Sequence, residues 1–215
     1  MKNPIKTTLI PASHLSDDGV LEVDATWQNN GTLAILCHPN PKAGGDMNNK
    51  VITTAYRHYR ERGMSVVRFN YRGVGTSSGQ IEYGDGEFFD TLAVLRWAID
   101  EAKNRQIHLD RLTVCGFSFG GFVACRVADF LVDNPLINLD KLVLIAPSIE
   151  KNDPTGLRLP VDTLMIYGDD DEWVNPNSMV KFADKFRLRT HVIQDTGHFF
   201  NGRLRELDDA LRSDL

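Results

Sequence analysis

A serine set between closely spaced glycines has the clearest chemical potential in this chain. The segment Gly116-Phe117-Ser118-Phe119-Gly120-Gly121 follows an apolar run, 112–115, that predicts a buried strand, and it opens a stretch with helical spacing. Gly-x-Ser-x-Gly between a strand and a helix is typical of a nucleophile elbow. The pattern predicts that Ser118 is a nucleophile and that the Phe119 N–H faces a developing oxyanion. The alternative is a serine in a glycine-rich loop without chemistry.

A serine hydroxyl needs a neighbouring base, and six histidines could supply one. His198 lies in the segment 195–200, directly after the last predicted strand and before a helix. That position is the carboxyl edge of the sheet, where open α/β sheets place their active sites. His58 lies in a predicted helix beside two arginines, which indicates a solvated face. We therefore predict that His198 is the base, and the alternative is a capping or core histidine.

Three consecutive aspartates, Asp169, Asp170 and Asp171, follow the predicted strand 163–167. An acid between serine and histidine in chain order suits a triad in which one carboxylate orients the imidazole. The other two carboxylates would cap the turn or face solvent. Spacing alone does not choose among the three. A calcium loop is disfavoured, because consecutive carboxylates lack the alternating ligand pattern of such loops.

Alternating strands and helices must position these side chains. Apolar runs predict eight strands, at 7–12, 20–27, 32–37, 65–69, 112–115, 141–146, 163–167 and 190–194. Helical spacing predicts five helices, the first capped by Asp46 and ended by Gly63, and the others around 88–99, 120–131, 176–186 and 204–211. Asp18-Gly19 and Asn30-Gly31 indicate hairpin turns and an antiparallel start. The order predicts one α/β domain over residues 1–215, with a mostly parallel sheet and helices on both faces.

Composition excludes several classes of function. The 215 residues are 42% apolar and 25% charged, which is typical of a globular protein. The net charge of −5 leaves no cationic excess for phosphates, so we expect no nucleic-acid partner. The N-terminal segment lacks the apolar run of a signal peptide, and no stretch approaches the ~20 residues that span a bilayer. The three cysteines, with no CxxC pair, predict reduced thiols in a cytoplasmic protein. No membrane partner is expected, and the sequence leaves monomer and homodimer open.

The elbow, the acidic run and the histidine together resemble the α/β-hydrolase superfamily in its compact form without a large cap. Three further segments are similar to family motifs: His38-Pro39-Asn40-Pro41 after the third strand, Arg72-Gly73-Val74-Gly75-Thr76-Ser77 after the fourth, and 168–174 after the seventh. The resemblance extends from about Thr32 to the last helix. It is greatest to a bacterial group of small hydrolases, with dienelactone hydrolases and carboxylesterases as more distant relatives.

The resemblance implies the fold and assigns further site residues. It implies an eight-stranded α/β-hydrolase fold without a large lid, since residues 148–160, where relatives carry insertions, form only a loop. The family pattern Gly-x-x-Asp-x-x-Val over 168–174 assigns the acid to Asp171. Pro39 stands where many relatives have glycine, and proline has no N–H to donate. The resemblance therefore places the second oxyanion donor at the backbone N–H of Asn40.

These features predict a serine hydrolase that cleaves a small ester or related acyl substrate through an acyl-enzyme. Ser118, His198 and Asp171 form the triad, and Asn40 and Phe119 form the oxyanion hole. No metal or organic cofactor is expected. The alternatives are a thioesterase or peptidase with the same triad, an acyltransferase, and a binding module that has the fold without the catalysis.

Overall fold

The computed structural model describes residues 7–212, which form eight strands and five α-helices. None of these helices is long and apolar enough to cross a bilayer. The elements correspond to the predicted ones, although several begin or end a few residues away. The strands are β1 (Thr8–Pro11), β2 (Val20–Thr26), β3 (Thr32–Cys37), β4 (Ser65–Phe69), β5 (Arg111–Phe117), β6 (Asn138–Ile145), β7 (Leu164–Gly168) and β8 (Arg189–Ile193). The helices are α1 (Lys50–Glu61), α2 (Asp85–Asn104), α3 (Phe119–Asp133), α4 (Pro176–Phe186) and α5 (Leu204–Leu211), with a 3₁₀ turn at Pro41–Ala43.

The eight strands form one sheet in the order β1-β2-β4-β3-β5-β6-β7-β8. The strands β1 and β2 are antiparallel, β2 is antiparallel to β4, and the pairs from β4 onward are parallel. The mostly parallel sheet with an antiparallel start is therefore confirmed. The hairpin predicted at Asn30-Gly31 is wrong, because β4 lies between β2 and β3. Gly31 has the positive φ of 80° that a tight turn needs, but long-range pairing decides which strands are neighbours.

Helices cover both faces of the sheet. Every residue of β3, β4 and β7 is buried. Successive side chains of a strand point to opposite faces, so full burial requires cover on each side. Helices α1 and α5 pack against each other, as do α2 and α3. The apolar residues that predict α1 by their spacing, such as Val51, Ala55 and Tyr59, are buried as expected.

The start of α1 differs from the prediction. The cap is Asn49, whose Oδ1 accepts the N–H of Val51 at 2.9 Å. Asp46 forms the preceding turn instead, where its Oδ1 accepts the N–H of Asn48 at 2.7 Å. Either side chain can accept from a backbone N–H two residues on, so the sequence offers two equivalent starts. The helix begins after the second of them.

The solvated position predicted for His58 is also wrong. The residue is buried on α1, and its Nδ1 lies 2.8 Å from Oδ1 of Asp208 on α5. Burial lowers the pKa of His58, against the raising effect of the aspartate. A partner 150 residues away determines this environment, and the neighbouring arginines do not reveal it.

A loop replaces the lid. The strand β6 ends at Ile145 and β7 begins at Leu164, and residues 146–163 form neither a helix nor a strand. This confirms the predicted loop over 148–160 and leaves the carboxyl edge of the sheet without a covering domain.

Candidate active site

Ser118 occupies the turn between β5 and α3 with φ 55° and ψ −119°. A non-glycine residue in this conformation is strained by about 1–3 kcal/mol and persists where the surroundings fix it. Its N–H donates to the carbonyl of Ile145 at 2.9 Å, and its carbonyl accepts the N–H groups of Gly121 and Ser148, each at 2.9 Å. The strained turn is therefore held by α3 on one side and by the end of β6 on the other.

Glycines allow the elbow to pack directly on neighbouring backbone. A Cβ at Gly116 would lie 2.1 Å from the carbonyl oxygen of Gly120, and a Cβ at Gly120 would lie 2.1 Å from that of Cys37. Neither position accepts a side chain without movement of the backbone. The close approach at Gly120 brings the start of α3 against the end of β3. It thereby places Ser118 beside the segment 38–40.

Asp171 and His198 complete a hydrogen-bonded line to Ser118. The Nδ1 of His198 lies 2.7 Å from Oδ2 of Asp171, and its Nε2 lies 2.9 Å from Oγ of Ser118. An ionised carboxylate can only accept, so the proton of a neutral imidazole is placed on Nδ1 and Nε2 is free to accept from the hydroxyl. His198 and Asp171 are both buried. The three residues predicted as a triad thus lie together at the carboxyl ends of β5, β7 and β8.

Asp171 differs from the two aspartates before it in its contacts. Its Oδ1 accepts the backbone N–H groups of residues 173 and 174, each at 2.8 Å, which fixes the carboxylate toward His198. Asp169 and Asp170 are exposed. Within residues 7–212, no group of three or more His, Cys, Asp or Glu side chains is arranged to hold a metal ion. Of the three aspartates, Asp171 is the one brought to the imidazole.

The backbone N–H groups of Asn40 and Phe119 belong to residues that line one pocket with Ser118. Phe119 is the first residue of α3, so its N–H has no carbonyl partner within the helix. Asn40 precedes the 3₁₀ turn, and its side-chain Oδ1 accepts the N–H of Lys42 at 2.9 Å. The two residues predicted to carry the oxyanion donors thus line the same pocket as Ser118.

Buried His38 orients the peptide that carries the Asn40 N–H. Its Nδ1 donates to the carbonyl of Pro39 at 2.7 Å, and its Nε2 accepts the N–H of Tyr71 at 3.2 Å. Burial lowers the pKa of His38 to about 3, which keeps the imidazole neutral and able to donate and accept at once. In a trans peptide the N–H points away from the carbonyl. Fixing the Pro39 carbonyl therefore fixes the direction of the Asn40 N–H.

Ser118 and His198 line one pocket that is open to solvent. Aromatic rings form part of its walls. The Tyr83 ring stacks on Phe119 with centroids 5.0 Å apart, and the Trp173 ring lies nearly parallel to His198 at 6.0 Å. The segments 39–45 and 148–151 supply further lining.

The sequence does not identify these walls. Tyr83 lies in the loop before α2 and Trp173 in the loop after β7, and only the paths of those loops bring them to Ser118. Glu172 is a fourth carboxylate of the acidic run, and its Oε2 accepts the backbone N–H of His198 at 3.0 Å. The run itself is the available signal for Glu172, since it lies beside the predicted acid.

A family model and a relative match the sequence of this chain over much of its length. A family model described as the alpha/beta hydrolase fold matches residues 35–161. An uncharacterized protein of Rickettsia prowazekii (strain Madrid E) is 30% identical over 197 residues, which cover 86% of this chain and 79% of that protein.

Solved structures share the fold over nearly the whole chain. A structure of an alpha-beta serine hydrolase homologue from Coxiella burnetii is 34% identical with a TM-score of 0.84, covering 98% of this chain and 97% of that one. A Xanthomonas campestris member of the α/β serine hydrolases without a lid is also 34% identical with a TM-score of 0.84, covering 99% and 94%. The lid is missing from that structure, just as residues 146–163 form only a loop here.

Proposed function

Because the chain belongs to the α/β-hydrolase family, we propose that it is a serine hydrolase that cleaves a small ester or related acyl substrate. One observation carries the proposal. Two hydrogen bonds run from Asp171 through His198 to Ser118. Ser118 and His198 line one pocket together with Asn40 and Phe119, whose backbone N–H groups are the proposed oxyanion donors. A carboxylate, an imidazole and a hydroxyl in this order activate a serine as a nucleophile.

The reaction proceeds in two halves. The Oγ of Ser118 attacks the substrate carbonyl carbon while Nε2 of His198 takes the hydroxyl proton. The tetrahedral oxyanion accepts hydrogen bonds from the N–H groups of Phe119 and Asn40, and Asp171 stabilises the imidazolium. His198 then gives its proton to the leaving group, which departs and leaves an acyl-enzyme. Water attacks that ester with the same base, and Ser118 regains its proton as the acid product leaves.

The oxyanion donors and Asp171 lower the reaction barrier by stabilising charges that develop only in the transition state. The two N–H donors bind a negative oxygen more strongly than a neutral carbonyl oxygen. Removing one such donor raises the activation barrier by about 3–4 kcal/mol. The carboxylate of Asp171 is likewise needed most when the imidazole is positively charged. The strained turn at Ser118 holds the hydroxyl within hydrogen-bonding distance of His198, so attack requires no rearrangement of the backbone.

Labelling with a fluorophosphonate tests the nucleophile directly. Intact mass spectrometry of the wild-type protein should show one adduct, and Ser118→Ala should show none. Ser148→Ala is the matched control, because Ser148 lines the same pocket and should leave labelling intact. A folded wild-type protein that takes no adduct would contradict the proposal and favour a binding module with the same fold.

A substrate panel then separates the reactions that one triad supports. Matched ester, thioester and peptide substrates with a common acyl group distinguish an esterase from a thioesterase and a peptidase. Product analysis with added alcohols distinguishes transfer to water from transfer to another acceptor. We expect the ester to give the highest kcat/KM and water to be the main acceptor. Faster turnover of the thioester or peptide would reassign the substrate while leaving the nucleophile in place.

A further inference from the structure

The protein has a net charge of −5, yet three lysines stand at the proposed active-site pocket. Lys151 lines the pocket. The Nζ of Lys42 lies 5.4 Å from the ring centroid of Tyr83, and the Nζ of Lys50 lies 6.0 Å from that of Phe199. Both rings are pocket walls. One ammonium group therefore lies near each of these two aromatic lining residues, and Lys151 is itself part of the lining.

These three lysines have no carboxylate partner within residues 7–212. Lys50 bonds the neutral amide oxygen of Asn201, and Lys42 and Lys151 enter no ion pair among the described side chains. Two of the four other described lysines do pair, Lys103 with Asp100 at 3.3 Å and Lys141 with Asp162 at 3.1 Å. Unpaired cations gathered at a cleft raise the local potential and the local concentration of anions.

The carboxylates of this region are held by uncharged donors. Glu150 also lines the pocket, but its Oε1 accepts a hydroxyl at the start of α4, at 2.6 Å. Glu172 accepts the His198 backbone N–H, and Asp46 accepts that of Asn48. None of them forms an ion pair with Lys42, Lys50 or Lys151, so each ammonium group can still bond an anionic ligand.

The position of Lys50 adds an electrostatic conflict that an anion would relieve. Lys50 is the first residue of α1, and the first turn of this helix contains no acidic residue. The N-terminal end of a helix carries partial positive charge and disfavours a cation. The residue before it, Asn49, lines the pocket, so this end of the helix adjoins the pocket.

We infer, on the basis of the proposed function, that the preferred substrates are anionic esters, with a carboxylate or comparable negative group on the part that reaches Lys42 and Lys50. The ester carbonyl lies at Ser118, the apolar part packs against the aromatic walls, and the negative end meets the lysines at the opening. Selectivity comes from charge at the rim, while the triad treats neutral and anionic esters alike.

Two esters that differ only in charge provide the test: 4-nitrophenyl hydrogen adipate and methyl 4-nitrophenyl adipate. We expect kcat/KM to favour the anionic ester by about fivefold or more at low ionic strength, which is the effect of one ion pair about 4 Å apart in water. The preference should shrink toward unity in about 0.5 M salt, where the Debye length falls to a few ångströms. The variant Lys42→Met/Lys50→Met should lower the preference, and Lys103→Met, at a distant paired lysine, should retain it.

The possible results separate the two proposals. Equal or better turnover of the neutral ester, or an unchanged preference in the double variant, overturns the inference and leaves the hydrolase assignment standing. An enzyme that takes the fluorophosphonate adduct but turns over neither ester also overturns it. Absence of the adduct on folded protein refutes the proposed function itself.

Discussion

Replacing Gly120 by alanine tests whether the close packing behind the elbow sets the catalytic geometry. The new Cβ would lie 2.1 Å from the carbonyl oxygen of Cys37 and 2.5 Å from that of His38, both of them backbone atoms. An ordinary contact needs about 3.4 Å, so α3 and the end of β3 must separate by more than an ångström. That gap divides Ser118 and Phe119 from Asn40.

The expected loss follows from this displacement. A misplacement of about 1 Å costs about 10²-fold in rate, so kcat/KM of Gly120→Ala should fall by about that factor or more on a reactive ester. Overpacking should also lower the free energy of unfolding by about 1–3 kcal/mol, and the Tm by about 2–4 °C for each kcal/mol. The assay is therefore made at a temperature where circular dichroism shows the variant folded.

Gly156→Ala is the matched control. Gly156 lies in the loop that replaces the lid, and a Cβ there meets nothing within 4 Å. Both its activity and its Tm should stay near those of the wild type. Wild-type kcat/KM in folded Gly120→Ala would show that the site tolerates the separation, and the reasoning from backbone contact to catalysis would fail.

Three further predictions concern the residues around the site. Asp171→Asn should lower kcat by about 10⁴-fold with a small change in Tm, since the amide disturbs the tautomer of His198, while Asp169→Asn should stay near wild type in the same assay. His38 binds a proton below about pH 6.5 in the unfolded chain but only near pH 3 in the folded protein. Its contribution to stability is therefore lost as the pH decreases through this window. Between pH 7 and 5 the wild type should therefore lose about 2 kcal/mol more than His38→Asn in urea unfolding, and equal losses would contradict the buried neutral state. Arg72→Ala should lower the unfolding free energy by about 3–5 kcal/mol, because it removes the guanidinium that the fully buried Asp90 binds at 2.9 Å and leaves that carboxylate only His14 and one backbone N–H; a loss under 1 kcal/mol in urea would contradict this.

The residues of the candidate site were accessible from sequence because their sequence signals are local. Each predicted triad member directly follows an apolar strand, and parallel strands end at one edge of the sheet. Ser118 needs only its flanking glycines to be recognised, and its relation to His198 follows from chain order. The choice of Asp171 among three aspartates required the family pattern, since what distinguishes it structurally is two backbone N–H groups at its Oδ1.

Features that depend on distant partners were not accessible. The place of β4 between β2 and β3 is fixed by pairing that a turn dipeptide such as Asn30-Gly31 does not encode. His58 is buried by its contact with α5, and Tyr83 reaches the pocket through a loop of irregular path. The prediction of Asp46 as the cap of α1 was wrong for a different reason, because Asn49 offers an equivalent acceptor three residues later.

The backbone conformation of Ser118 positions the proposed nucleophile but lowers the stability of the fold. A φ of 55° strains a residue that has a side chain by about 1–3 kcal/mol. That strain is a sizeable part of the free energy of unfolding of a typical domain, about 5–15 kcal/mol. Glycine at this position would relieve the strain, but it would also remove the hydroxyl that lies 2.9 Å from Nε2 of His198. A substitution that relieves this strain therefore removes the proposed nucleophile, and stabilising substitutions that keep the hydroxyl have to be made at other positions.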